Sequence, residues 1–203
     1  MVDPIVLIAF VPAALALNLT PGADMMFCLG QGLRSGPKAA WLASAGIATG
    51  GMIHVLLAGA GLSAVLASMP LAFDLIRWMG VGYLLWLAVN ALRRAAETPE
   101  ARALPDGQAF RQGLFVNLTN PKVILFVLAF VPQFIRPDAG PVLMQFAVFG
   151  GVLGLGGFLI NGLVGVFAGS MGQRLAQGSR VLDWITAGVF TTLALRLAVL
   201  ERS

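Results

Sequence analysis

Hydrophobic positions in this chain run in long blocks, and charge, proline and glycine collect between the blocks. Pro4–Ala23 and Met25–Leu33 carry no charge and are separated only by Asp24, so the simplest reading is one helix with an acid embedded in its inner third. Ala39–Phe73 is also uncharged, and Ser68-Met69-Pro70 signals a tight turn into a third block, Leu71–Leu92. Gln112–Ile135 is interrupted only by Lys122, Ala139–Gln173 is uncharged, and Leu182–Leu200 closes the series. A helix needs about 20 apolar residues to cross hydrocarbon, so the blocks predict six transmembrane helices. Arg93–Arg111, with Pro99, Pro105 and Gly107, reads as a short linker between a first half at about 4–92 and a second at about 112–200. Residues 1–203 are then a single membrane domain.

Composition sharpens this into an all-α integral membrane protein. Apolar residues make up 58% of the chain and charged residues 11%, with a mean hydropathy of +0.87. Ordinary soluble domains carry about 25% charge, so too little polar surface is available to wrap a water-soluble core. The single Cys28 excludes an intrachain disulfide. The net charge of +4 does not form one basic patch, which argues against a nucleic-acid partner. With the linker in the cytoplasm, Arg34, Lys38, Arg93, Arg94, Arg102, Arg111, Arg174 and Arg180 lie inside and outnumber those outside. By the positive-inside rule both termini face the periplasmic or external side. Met1-Val2-Asp3-Pro4 lacks the positive region of a signal peptide, so the first helix is expected to stay attached. Trp41, Trp78 and Trp184 fall near helix ends, where interfacial anchors sit.

The chain also repeats itself. Asn18-Leu19-Thr20-Pro21-Gly22 in the first span returns as Asn117-Leu118-Thr119-Asn120-Pro121-Lys122 in the fourth. Gly50-Gly51 corresponds to Gly156-Gly157, and Asp74-Leu75-Ile76 to Asp183-Trp184-Ile185, in the same order. A duplicated unit of three helices must enter the membrane from the opposite face the second time. The expected architecture is therefore two inverted three-helix repeats, with helices 1 and 4 broken at proline and a site near the midplane.

Pro21 cannot donate to the Leu17 carbonyl, nor Pro121 to that of Asn117, so each break opens an acceptor inside hydrocarbon. Thr20 and Asn120 read as N-caps and Pro21 and Pro121 as first-turn residues of a second half-helix. Half-helix N-termini deep in the membrane suit a carboxylate. Lys122 and the two N-termini would hold it, while Asp24 and freed carbonyls such as that of Leu17 would accept an ammonium. That set, with Asn18, Gly22 and Asn117, suits a zwitterion, and Asp24 is placed to carry a coupling proton. The alternative is an Asp24–Lys122 ion pair that only fastens the halves together.

The remaining signals are weaker. His54, the single histidine, reads as a hydrogen-bonded packing residue rather than a proton relay, and as a candidate lining residue of the cavity. Asn161, near the equivalent position of the fifth span, reads equally as interhelical glue or substrate contact. Gly46 to Gly50, Gly150 to Gly154 and Gly165 to Gly169 are explained by close helix packing. One His, one Cys and one deep Asp fill no metal shell, and no cofactor is expected. Ser44 and His54 stand about 15 Å apart along one helix, too far for a nucleophile and its base.

Together the Asn18–Gly22 stretch, the Asn120-Pro121-Lys122 triplet, six short spans and the length resemble the lysine exporter and homoserine/threonine exporter (LysE/RhtB) family over nearly the whole chain. The resemblance implies proton-driven export of amino acids from the bacterial cytoplasm, with amino acid, protons and lipid as partners and room for a homo-oligomer. Ala23 stands where the family often has a second proline, which softens the break but leaves Asp24 in place. Asp24 as the only deep acid favours small neutral substrates of the threonine, homoserine or leucine type. The alternative is a passive channel or a structural membrane subunit.

Overall fold

The structure is a computed structural model that describes residues 2–68, 70–93, 106–168 and 180–199. The elements are helices α1 (Pro4–Leu19), α2 (Ala23–Ser35), α3 (Pro37–Ser68), α4 (Pro70–Arg93), α5 (Asp106–Leu118), α6 (Pro121–Ala129), α7 (Val142–Val166) and α8 (Arg180–Val199). Two 3-10 turns, Val131–Phe134 and Pro137–Ala139, join α6 to α7.

Among the described residues, two helices are long and apolar enough to cross a membrane alone: α3 over Pro37–Gly61, and α7. The pairs α1–α2 and α5–α6 reach that length only together, bent by 55° and 54° at their breaks. Four spans follow if each bent pair counts as one. The other two expected spans correspond to α4 and α8, whose apolar stretches among the described residues are Trp78–Asn90 and Asp183–Leu195. Most of the linker lies outside the described residues, but α5 begins at Asp106, within the stretch read as linker. It begins early because Ala109 is fully buried with Ala39, Ala43 and Ile47 of α3, where small side chains let the helices touch.

Helix α3 is the hub, packed on α7, α5 and α2, while α7 also holds α1 and α2 and α4 pairs with α8. Glycine permits the closest of these approaches. A Cβ on Gly46 would fall 2.0 Å from the Phe110 carbonyl oxygen, one on Gly113 2.3 Å from that of Ala43, and one on Gly32 1.8 Å from that of Gly165. Helix α2 ends on Gly36 at φ 86, a left-handed conformation that favours glycine. Trp41 is no interfacial anchor: its ring packs on Phe158 and lies over Gly162, where a Cβ would overlap it. Trp78 and Trp184 are exposed.

The molecule is inverted relative to a water-soluble one. Ile5, Phe115 and Trp184 are 76%, 66% and 68% exposed, while Asp24, Gln31, Ser44, Asn117, Asn120 and Asn161 are buried. An apolar exterior of this kind needs lipid against it. Phe10, Phe126, Phe130, Phe134 and Phe149 form a chain of ring contacts, 4.8 to 5.9 Å between centroids, joining the first half of α1 to α6, its following turn and α7. Buried Gln145 fastens the connection to α7, its side-chain amide donating to the Arg136 and Gly140 carbonyls and its oxygen accepting from the Arg136 amide.

Candidate functional site

Both proline breaks form as expected, but they are capped differently. Asn120 is the N-cap of α6, its side-chain oxygen accepting from the Lys122 amide at 3.0 Å, and Pro121 occupies the first turn. Thr20 is not an N-cap. It ends α1, and its hydroxyl donates back to the Ala16 carbonyl, because Pro21 leaves the chain extended through Gly22 before α2 starts at Ala23. Gly22, the residue at the N-cap of α2, has no side chain with which to cap. The first-turn amides of α2 thus have no side-chain cap, whereas those of α6 are partly taken.

A side chain from elsewhere meets the carbonyl at each break, although the Asn117 oxygen also accepts from the Asn120 backbone amide at 3.0 Å. The Lys122 ammonium donates to the carbonyls of Leu17, at 3.1 Å, and Thr20, at 2.8 Å. The Leu17 oxygen expected to await an ammonium from outside is therefore already bonded. At the other break a His54 ring nitrogen lies 3.2 Å from the Asn117 carbonyl, as a hydrogen-bonded packing residue would. A cation from one break thus seals the other.

The breaks also meet directly. The Asn117 side-chain amide donates to Asp24 Oδ2 at 2.8 Å, across a separation of 93 residues. Asp24 is 7% exposed and Asn117 2%, yet Asp24 Oδ1 and Asn117 Oδ1 have no hydrogen-bond partner. Buried acceptors without a partner suit a ligand that donates hydrogen bonds. Two small adjoining cavities open here. Both are lined by Leu17, Asn18, Asp24, Val123 and Asn161; Asn117 joins the larger and Thr20 and Lys122 the smaller.

The residues singled out from sequence thus divide into two groups. Asn18, Thr20, Asp24, Asn117, Lys122 and Asn161 come together on the cavity walls, whereas Pro21, Gly22, His54, Asn120 and Pro121 shape the breaks without lining either cavity. Gly22 leaves room for Lys122, whose Nζ would stand 3.3 Å from an added Cβ. Ser44 donates to the Phe158 carbonyl at 2.7 Å, a structural bond between α3 and α7.

The reasoning from sequence missed the sockets. Asn117 sits against Gly50, where a Cβ would fall 2.8 Å from its oxygen. Asn18 sits against Gly156 and Gly157, with Cβ distances of 2.8 and 3.1 Å, and donates to the Leu153 carbonyl at 3.1 Å. Helix packing does not explain these glycines; they make room for the asparagines, each from the opposite half of the chain. The paired Asn and Gly-Gly matches of the repeat were the available signal.

Compared with known families, residues 15–201 match the model of the LysE type translocator family. The chain belongs to that family. It is 33% identical over 171 residues to a homoserine/homoserine lactone efflux protein of Salmonella typhimurium, covering 83% of this chain and 81% of that one. It is 31% identical over 200 residues to a leucine efflux protein of an Enterobacter species, 95% of this chain and 94% of that one. An uncharacterized membrane protein of Vibrio cholerae is 36% identical over 148 residues, covering 70% of this chain and 71% of that one. No solved structure matches the chain. As a member of a family of efflux transporters, it is a membrane transporter and not an enzyme.

Proposed function

We propose that this LysE-type translocator is a secondary active exporter of small neutral amino acids across the bacterial inner membrane. Six spans form two inverted repeats of three, at about 4–92 and 112–200, with a cytoplasmic linker and both termini periplasmic. The observation that carries the reading is the junction of Asp24 with Asn117 at a cavity where the two broken helices meet. Asp24 Oδ1 and Asn117 Oδ1 would accept from the substrate ammonium. The uncapped start of α2 and the Lys122 ammonium beside Gly22 would hold its carboxylate.

Coupling follows from one carboxylate serving two cations. Asp24 can hold a proton or pair with an ammonium, but each neutralises it and displaces the other. A proton entering from outside would expel the substrate, and loss of the proton inside would prepare the site for the next. Alternating access requires only that the two inverted halves rock about this junction. Asp24 is the only buried acid among the described residues, so a second cationic group on a substrate would find no partner. The relatives named for homoserine and leucine efflux support neutral substrates.

The test is efflux from preloaded proteoliposomes with a panel of amino acids, with and without a pH gradient. Uphill export of a neutral amino acid that stops when the gradient is collapsed is the expected result. Flux that only runs down the substrate's own gradient at every pH would make the protein a passive channel.

A further inference from the structure

Two kinds of glycine face the interior on α3 and α7. At Gly46, Gly50, Gly150 and Gly165 an added Cβ would fall 2.0, 2.8, 2.5 and 2.5 Å from a neighbouring atom, so contact alone demands glycine. Gly51 and Gly154 differ. A Cβ on Gly51 would meet nothing nearer than Asn117 Oδ1 at 3.9 Å, and one on Gly154 nothing nearer than the Ala48 carbonyl oxygen at 3.8 Å, both ordinary contacts. Packing leaves space for alanine at each position, and alanine is the better helix former.

What the two positions share is the cavity. Gly51 from α3 and Gly154 from α7 both line the larger one, with Asp24 and Asn117. That cavity is small, so one methyl group on a wall takes up a sizeable share of it. The rest of its lining includes Leu17, Ile47, Val123 and Leu153, apolar side chains that suit an uncharged substrate side chain. Neither glycine offers a polar group to the ligand. Their contribution is room, supplied by both helices of the α3–α7 pair.

We infer that Gly51 and Gly154 are specificity-determining residues that set the upper size limit of the exported amino acid's side chain. The inference rests on the exporter reading above and deepens it. Alanine at either position narrows the cavity without touching Asp24 or Lys122, so small substrates keep their affinity and bulky ones lose theirs.

The experiment is efflux of a graded series, glycine, alanine, homoserine, leucine and phenylalanine, from proteoliposomes holding the full chain. In Gly51→Ala and Gly154→Ala the rate of the bulkiest exported member should fall about tenfold relative to the smallest. Gly151→Ala, whose Cβ would meet nothing within 4 Å and which does not line the cavity, should leave that ratio unchanged. An unchanged ratio in both cavity variants, with transport intact, overturns the inference alone. Wild-type protein that moves no member of the series overturns the exporter reading and the inference with it. Should the alanine variants not fold, Gly154→Cys in a Cys28→Ala background provides a second measurement. An exported amino acid should slow its labelling by a methanethiosulfonate, and labelling indifferent to that substrate overturns the inference.

Discussion

Lys122 follows Pro121 at the start of α6, beside the opening that Pro21 makes in α1. A cation near the bilayer midplane needs partners, and two of them are the carbonyls that the Pro21 break leaves open. Lys122→Met would strand the Leu17 and Thr20 oxygens, lowering stability by about 1–3 kcal/mol, visible as a lower melting temperature in detergent. Asp24→Asn keeps the shape and removes the titratable charge. That variant should lose gradient-driven efflux while folding normally, and undiminished uphill transport would remove Asp24 from the coupling mechanism. His54 plays the corresponding part at the second break, and its bond to the Asn117 carbonyl lay beyond sequence reasoning because 63 residues separate them.

At the scale of the element, proline alone does not break a helix here. Pro12 lies inside α1, which continues past it to Leu19. The breaks occur where proline is joined to a second device, the glycine after Pro21 and the capping asparagine before Pro121. Replacing Pro21 with alanine returns an amide to the Leu17 carbonyl. Pro21→Ala should therefore recover much of the stability lost in Lys122→Met without restoring transport, a coupling measured by a double-mutant cycle in thermal unfolding. The glycines divide by neighbour in the same way. Gly46→Ala sets a Cβ against the α5 backbone, which cannot yield as a side chain can, and should cost about 1–3 kcal/mol or more.

For the whole molecule, the reciprocal asparagine sockets support the inverted duplication: Asn117 of the second half against Gly50 of the first, and Asn18 of the first against Gly156 and Gly157 of the second. Exchange of equivalent contacts is what a two-fold relation between halves produces. Its topological consequence is open to measurement in a Cys28→Ala background. Val2→Cys should react with a membrane-impermeant maleimide in intact cells, and Gln108→Cys only after permeabilisation. The opposite pattern would reverse the orientation and with it the direction of coupling.

Whatever follows from one residue's own chemistry can be read before the chain is folded. A missing amide at Pro21 and Pro121, an acid and a base embedded in apolar blocks, and an apolar surplus that only lipid can cover are legible wherever they occur. Tertiary structure decided the partnerships. That Lys122 caps Leu17, that Asn117 binds Asp24, that Thr20 turns back on its own helix, and that Trp41 lies over Gly162 depend on which helices lie side by side. Hydrogen bonds and van der Waals contacts act over a few ångströms, and residues they join here stand as much as 139 positions apart in the chain, as Phe10 and Phe149 do. Only the packed fold brings such positions within that range.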